Sequence, residues 1–312
     1  MDINDLSMTI FTIFAQMSVG AFVVLGVVHL VARAKGRSAE EVDKLTDPAL
    51  YAIGVTLVLG LLASMLHLGN VVNVFNVILN VGTSWLSREI AFGIAFAGLG
   101  FLFALAQWFK IGTPAARQVL AGVTALVGLG LVFSMGMIYY TLEAVPAWNT
   151  WVTPVQFFTT TFLLGSLAVG TALVSTVMWR RRRALQQGEQ AATDPGALQM
   201  LTTTLKGVAV AAIVLLGTHV VVTPMHLASL SGGDTAALQS AAVYSGAWLA
   251  TWLTLVFLGA GLLGLLVYRF ASMTRDDPTR LATVATTAFV FVLAGEFVGR
   301  SLFYESVALI GM

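Results

Sequence analysis

Ionisable side chains are sparse in this sequence, so the few that could do chemistry stand out. His67 lies in SMLHLGN (Ser64 to Asn70) and Glu89 in SWLSREI (Ser84 to Ile90), at the facing ends of two successive apolar runs. An imidazole and a carboxylate that converge at a lipid-accessible crevice suit a molecule that surrenders two protons along with two electrons. A quinol is such a molecule: the imidazole accepts a hydrogen bond from one hydroxyl and the carboxylate takes the proton onward. Each residue also has a plainer reading, His67 as a satisfied helix-end histidine and Glu89 as a cap on a helix dipole.

A second group lies near the end of the sequence. Glu296, Arg300 and Tyr304 are spaced four apart and share one side of a helix, with Glu before Arg in the order that favours an ion pair. Gly295 and Gly299 beside them form a small-xxx-small surface that admits another helix closely. The group reads either as a buried ion pair pinning the last helix or as a ligand contact. His219 and His226, seven apart and about 10 Å along one helix, flank Pro224, where a kink is expected. With His67 they raise the rival of a haem b anchor. That requires two imidazoles at one depth, which only His67 with His219 or His226 could supply. His29 belongs to the opposite end.

The elements that must position these groups follow from composition. The 312 residues are 58% hydrophobic and 10% charged, with a mean hydropathy of +0.88, far from the roughly 25% charged of a soluble domain. Lipid is the solvent for most of such a protein. Apolar runs occupy 8–33, 49–69, 88–110, 116–141, 153–179, 203–228, 239–269 and 281–311. Each exceeds the ~20 residues that cross the hydrocarbon core as a helix. The expected fold is an all-α integral membrane protein, one polytopic domain over 1–312 with eight transmembrane helices in a bundle. Asp2 and Asp5 precede the first run with no basic segment, which points to a retained helix and not a cleaved signal.

Of the sixteen Lys and Arg residues, fourteen fall in alternate connections. Arg33, Lys35, Arg37 and Lys44 lie between helices 1 and 2, and Lys110 and Arg117 between 3 and 4. Arg180 to Arg183 with Lys206 lie between 5 and 6, and Arg269, Arg275 and Arg280 between 7 and 8. Only Arg88 and Arg300 remain, so these connections are expected in the cytoplasm and both termini outside. Zero cysteine excludes Cys-ligated iron–sulfur clusters and thiolate zinc sites within this protein, and no metal site is expected. No basic patch interleaved with stacking aromatics suggests nucleic acid.

Long motifs then carry a resemblance. SMLHLGN, NVFNVILNVGTSWLSREI (Asn73 to Ile90), PAWNTWVTPVQFF (Pro146 to Phe158) and GEFVGRSLFY (Gly295 to Tyr304) resemble the membrane-anchor subunits of dimethyl sulfoxide reductases, over nearly the whole sequence. The wider relatives are polysulfide-reductase-type anchors. The resemblance implies an eight-helix anchor in a prokaryotic cytoplasmic membrane, without haem or cluster of its own. It would oxidise a quinol from the membrane pool, menaquinol in preference to ubiquinol. Electrons would pass to a four-cluster iron–sulfur subunit and a molybdopterin catalytic subunit on the extracytoplasmic face. It implies His67 and Glu89 as the catalytic pair; Ser87 and Arg88, the latter a departure from the family's pattern, are expected beside them in the quinol site, and Glu296, Arg300 and Tyr304 as a structural ion pair or site support. Protons and electrons would then leave on one side and build no membrane potential. The rivals are the haem b anchor and a secondary transporter or proton channel, which would call for broken helices in matching halves.

Overall fold

The computed structural model describes residues 3–65, 79–187, 195–272 and 278–310. His67 and most of the connection that follows it lie outside them. The described residues form nine helices and no strand: α1 Ile3–Ala34, α2 Ala39–Met65, α3 Trp85–Trp108, α4 Pro114–Tyr140, α5 Val152–Gln186, α6 Pro195–Ser231, α7 Thr235–Val243, α8 Ala247–Ser272 and α9 Pro278–Glu305. Eight of these, all but α7, are long and apolar enough to cross a bilayer. The architecture is that of a multi-pass membrane protein.

Helix boundaries follow local chemistry more closely than hydropathy. The apolar run over 239–269, expected as one span, is two helices. Asp234 caps the short α7, its side chain accepting from Ala237 N at 2.9 Å, and the helix breaks at Tyr244–Ser245–Gly246 before α8. The break trims a run longer than the hydrocarbon core requires. α2 starts ten residues before its apolar run, because Ser38 and Glu41 form a reciprocal capping box: Glu41 N donates to Ser38 Oγ and Ser38 N to Glu41 Oε2, at 3.2 and 3.3 Å. α5 carries Arg180 to Arg183 on its final turns, and α6 continues through Pro224.

Glycines decide which helices meet at the centre. A Cβ on Gly20 of α1 would overlap the Thr161 carbonyl of α5, and one on Gly165 would overlap the Gly20 backbone. The two helices therefore touch backbone to backbone, the close approach that drives association where apolar burial cannot. Around this pair α1 gathers α2 and α4, with α3 closing against α4, while α5 gathers α6 and α9, with α8 between those two. The small surface on α9 is used as expected: Cβ atoms at Gly295 and Gly299 would sit 3.4 Å from Leu255 Cβ and 2.7 Å from Trp252 Nε1 on α8.

One end of the bundle holds the start of α1 and the end of α9, joined by Tyr304 to Thr12, and there Ile310 N, just past α9, donates to the Ala144 carbonyl in the connection between α4 and α5. We refer to this as the terminal face. At the other end, the basic face, Arg37 reaches Gln199 and Arg180 reaches the Lys44 carbonyl.

Candidate functional site

Glu89 sits in the first turns of α3, on the terminal face, with 9% of its surface exposed. Ser84 caps the helix by accepting from Ser87 N at 3.3 Å, which buries Ser87 one residue before Arg88. Arg88 has its own contacts within the turn before α3. Its Nε and Nη2 donate to the Val81 and Gly82 carbonyls, each at 2.8 Å, and its guanidinium lies 4.1 Å from the Trp85 ring centre. It thereby holds the turn that enters α3. The Glu89 carboxylate is within electrostatic reach of the Tyr139 and Tyr304 hydroxyls, which bring α4 and α9 to the same place. The His67–Glu89 convergence falls outside the described residues.

The α9 residues assemble next to it, though not as expected. Glu296 and Arg300 form no ion pair. Glu296 Oε2 accepts from Thr160 Oγ1 of α5 at 2.6 Å, while Arg300 Nη2 donates to Gln16 Oε1 of α1 at 3.1 Å. The Arg300 guanidinium also covers the Phe157 ring at 3.9 Å. Spacing puts both side chains on one side of α9, but the neighbouring helices offer each a partner of its own. Tyr304 completes the row, sharing a hydrogen bond with Thr12 at 2.7 Å and accepting one from Tyr139 at 3.4 Å.

On this side of the bundle the structure brings an imidazole and a carboxylate together in His219 and Glu296. Their Nε2 and Oε1 atoms lie 3.3 Å apart, within ion-pair distance if the ring is protonated, but off hydrogen-bond geometry. Trp252 meets the His219 ring edge-on at 6.3 Å. The pair lines a cavity of about 40 Å³ together with Thr160, Thr223, Tyr244 and Arg300. An apolar cavity that accepts benzene measures about 150 Å³, and a single water needs about 10–15 Å³. This one therefore suits a few waters and not a quinol ring. Burial pushes the Tyr244 hydroxyl up to about 12, so it stays neutral. His226, also buried, packs against Tyr244 edge-on at 6.4 Å.

Sequence reasoning missed Tyr139, Thr160, Gln16 and Thr12. All are uncharged, and each lies far in sequence from the group it serves, so nothing local marks them. It also missed a cluster on the basic face. There Lys110 Nζ reaches Asp43 and Asp47 at 2.9 and 3.2 Å, Gln107 donates to Asp47 at 2.9 Å, and His29 Nε2 meets Thr46 Oγ1 at 2.8 Å. The four-residue spacing of Asp43 and Asp47 before an apolar run was its available signal.

Residues 1–305 match the family model described as DMSO reductase anchor subunit (DmsC). The protein is 31% identical over 311 residues to the C subunit of the anaerobic dimethyl sulfoxide reductase of Escherichia coli, a match spanning 99% of this sequence and 97% of the relative. It is 27% identical over 312 residues to the anaerobic dimethyl sulfoxide reductase subunit YnfH of the same organism, again spanning 99% and 97%. To the C subunit from Haemophilus influenzae it is 31% identical over 173 residues, 54% of this sequence and 58% of that one. The glycine-packed eight-span bundle and the polar row on α9 thus belong to a member of the DMSO reductase anchor subunit family.

Proposed function

We propose that this protein is the quinol-oxidising membrane anchor of a molybdenum reductase complex. The observation that carries the reading is Glu89, a carboxylate buried at the start of α3 and in no ion pair among the described residues. It lies where Tyr139 and Tyr304 gather. A buried carboxylate near the bilayer boundary with no resident counter-cation is suited to accept a proton. In this reading His67, from the preceding span, accepts a hydrogen bond from one quinol hydroxyl, and Ser87 and Arg88 shape the turn beside Glu89.

Oxidation of the quinol releases two electrons and two protons. The relatives are named as subunits of dimethyl sulfoxide reductases, and on that basis the electrons leave to an iron–sulfur subunit and from there to a molybdopterin subunit. With fourteen of sixteen Lys and Arg residues on one side, the terminal face is extracytoplasmic, and those partners dock there. The protons and electrons of menaquinol then leave on the same side, so turnover builds no potential. The anchor itself holds neither haem nor cluster.

Glu89→Gln in the intact complex tests the reading. Quinol-driven acceptor reduction is expected to fall about 10²-fold or more. Reduction driven by an artificial dye that feeds the catalytic subunit directly should stay at the wild-type rate. Unchanged quinol oxidation in the variant would refute the assignment.

A further inference from the structure

On the basic face α1 and α6 scarcely touch, although both pack against α5 between them. α5 is drawn in on one side where Gly20 meets Gly165, and on the other where a Cβ at Gly170 would sit 3.1 Å from Val208. A trough results, with α5 as floor at the buried Ser166 and α1 and α6 as walls. From α1 come Val24, Val27, Val28 and Val31, three and four apart and so on one side of the helix. Gly207 deepens the α6 wall, since no atom lies within 4 Å of where its Cβ would stand. The trough encloses about 430 Å³, the size of a small-molecule site.

Its mouth is cationic. Lys35 and Arg37, from the turn between α1 and α2, stand at the basic end, and among the described residues no Asp or Glu lines the trough. Arg37 Nη2 donates to Gln199 Oε1 at 3.0 Å, tying the α1 side of the mouth to α6. A second cavity, about 390 Å³ among α1 to α4, differs on this point because Asp43 and Asp47 line it.

We propose that the trough binds an anionic phospholipid, its headgroup phosphate on Lys35 and Arg37 and one acyl tail laid along the α1 valines. Val27 and Val31 are 51% and 45% exposed, so they need hydrocarbon against them. Two cations at the boundary need a phosphate, and basic pockets between spanning helices on the cytoplasmic side are where acidic headgroups bind. A zwitterionic lipid would bring its own ammonium to the same two cations. The tail of a quinone would fill the trough and leave both cations unmatched.

The test uses the purified complex, delipidated in detergent, with phosphatidylglycerol and phosphatidylcholine as probes in native mass spectrometry and thermal melting. Phosphatidylglycerol is expected to remain bound and to raise the melting temperature, and phosphatidylcholine to do neither. Lys35→Ala should weaken phosphatidylglycerol binding about fivefold, and the pair Lys35→Ala/Arg37→Ala about thirtyfold. Gly207→Leu should block the trough from the other end, in space that is open, so the lipid-free complex should melt as the wild type does. Should that variant fail to assemble, the surface lysine and arginine variants still decide the matter. Equal binding of phosphatidylcholine, full phosphatidylglycerol binding by the double variant, or recovery of a quinone and not a phospholipid from the trough would overturn the proposal.

Discussion

The two ends of this bundle handle charge in opposite ways. On the basic face, Asp43 and Asp47 share Lys110, with Lys110 half exposed, so both carboxylates have a cation within ion-pair distance. On the terminal face, Glu296 and Arg300 are 4% and 5% exposed, lie one turn apart, and still do not pair. Each is held by an uncharged partner on another helix, Thr160 for the carboxylate and Gln16 with the Phe157 ring for the guanidinium. Opposite charges are paired at one end and kept separate at the other. Separated charge inside a low-dielectric bundle is costly, and it remains available to a reaction that moves protons. The ion-paired end has the character of a structural clamp.

Removing the buried cation tests the contrast most strongly. Arg300→Ala should destabilise the complex by about 3–5 kcal/mol, the sum of a hydrogen bond made by a charged group and a desolvated cation–π contact. The variant leaves Gln16 without its donor and a gap over Phe157. Thermal melting of the complex gives the measure. A loss below about 1 kcal/mol would mean that the terminal face is no more dependent on its charges than the basic face.

Glu296→Gln should be milder than the sequence alone suggests. Spacing on α9 implies that neutralising Glu296 strands Arg300. In the structure the amide oxygen can still accept from Thr160, and Arg300 keeps Gln16. What changes is the interaction with His219 at 3.3 Å. The expected loss is about 1–2 kcal/mol, the difference between a hydrogen bond to a charged acceptor and one to a neutral acceptor. A loss equal to that of Arg300→Ala would show the two residues acting as a unit despite their separate partners.

The gap between those two expectations shows what the sequence could and could not convey. Hydropathy marks eight spans because lipid demands apolar side chains in runs of a fixed length, whatever the packing. The same demand hides the break at Tyr244–Ser245–Gly246, where apolar residues continue on both sides. Periodicity puts Glu296, Arg300 and Tyr304 on one side of α9 but cannot say which helices face that side. The partners Gln16, Thr160 and Tyr139 come from 284, 136 and 165 positions away, and the distances settle only when Gly20 and Gly165 bring α1 and α5 together. Glu89 stands out as a candidate because an ionisable residue at membrane depth is costly. Its neighbour Tyr139 is an ordinary interface aromatic until the fold groups it with Tyr304.

The smallest effects belong to the basic face, and there the backbone matters as much as the charge. Lys110 has φ 53, in the left-handed region, which no other non-glycine residue among those described adopts. Burial disfavours its charge, but hydrogen bonds to Asp43 and Asp47 and their negative charge outweigh that and raise its pKa. The sign follows: a raised folded-state value contributes stability below the ordinary lysine pKa, and that contribution fades as pH climbs through the folded value. At neutral pH the clamp is fully present. Being half exposed, it should contribute no more than about 1 kcal/mol. Lys110→Ala removes the ion pairs and keeps the left-handed strain, so it should cost about 1 kcal/mol at neutral pH. Lys110→Gly removes the same ion pairs but relieves about 1–2 kcal/mol of backbone strain, so it should match or exceed the wild type. Melting temperatures of the two variants, measured side by side in the complex, separate charge from conformation. If the glycine variant melts with or below the alanine variant, the turn gains nothing from glycine, and the basic face depends on its ion pairs more than the comparison of the two ends allows.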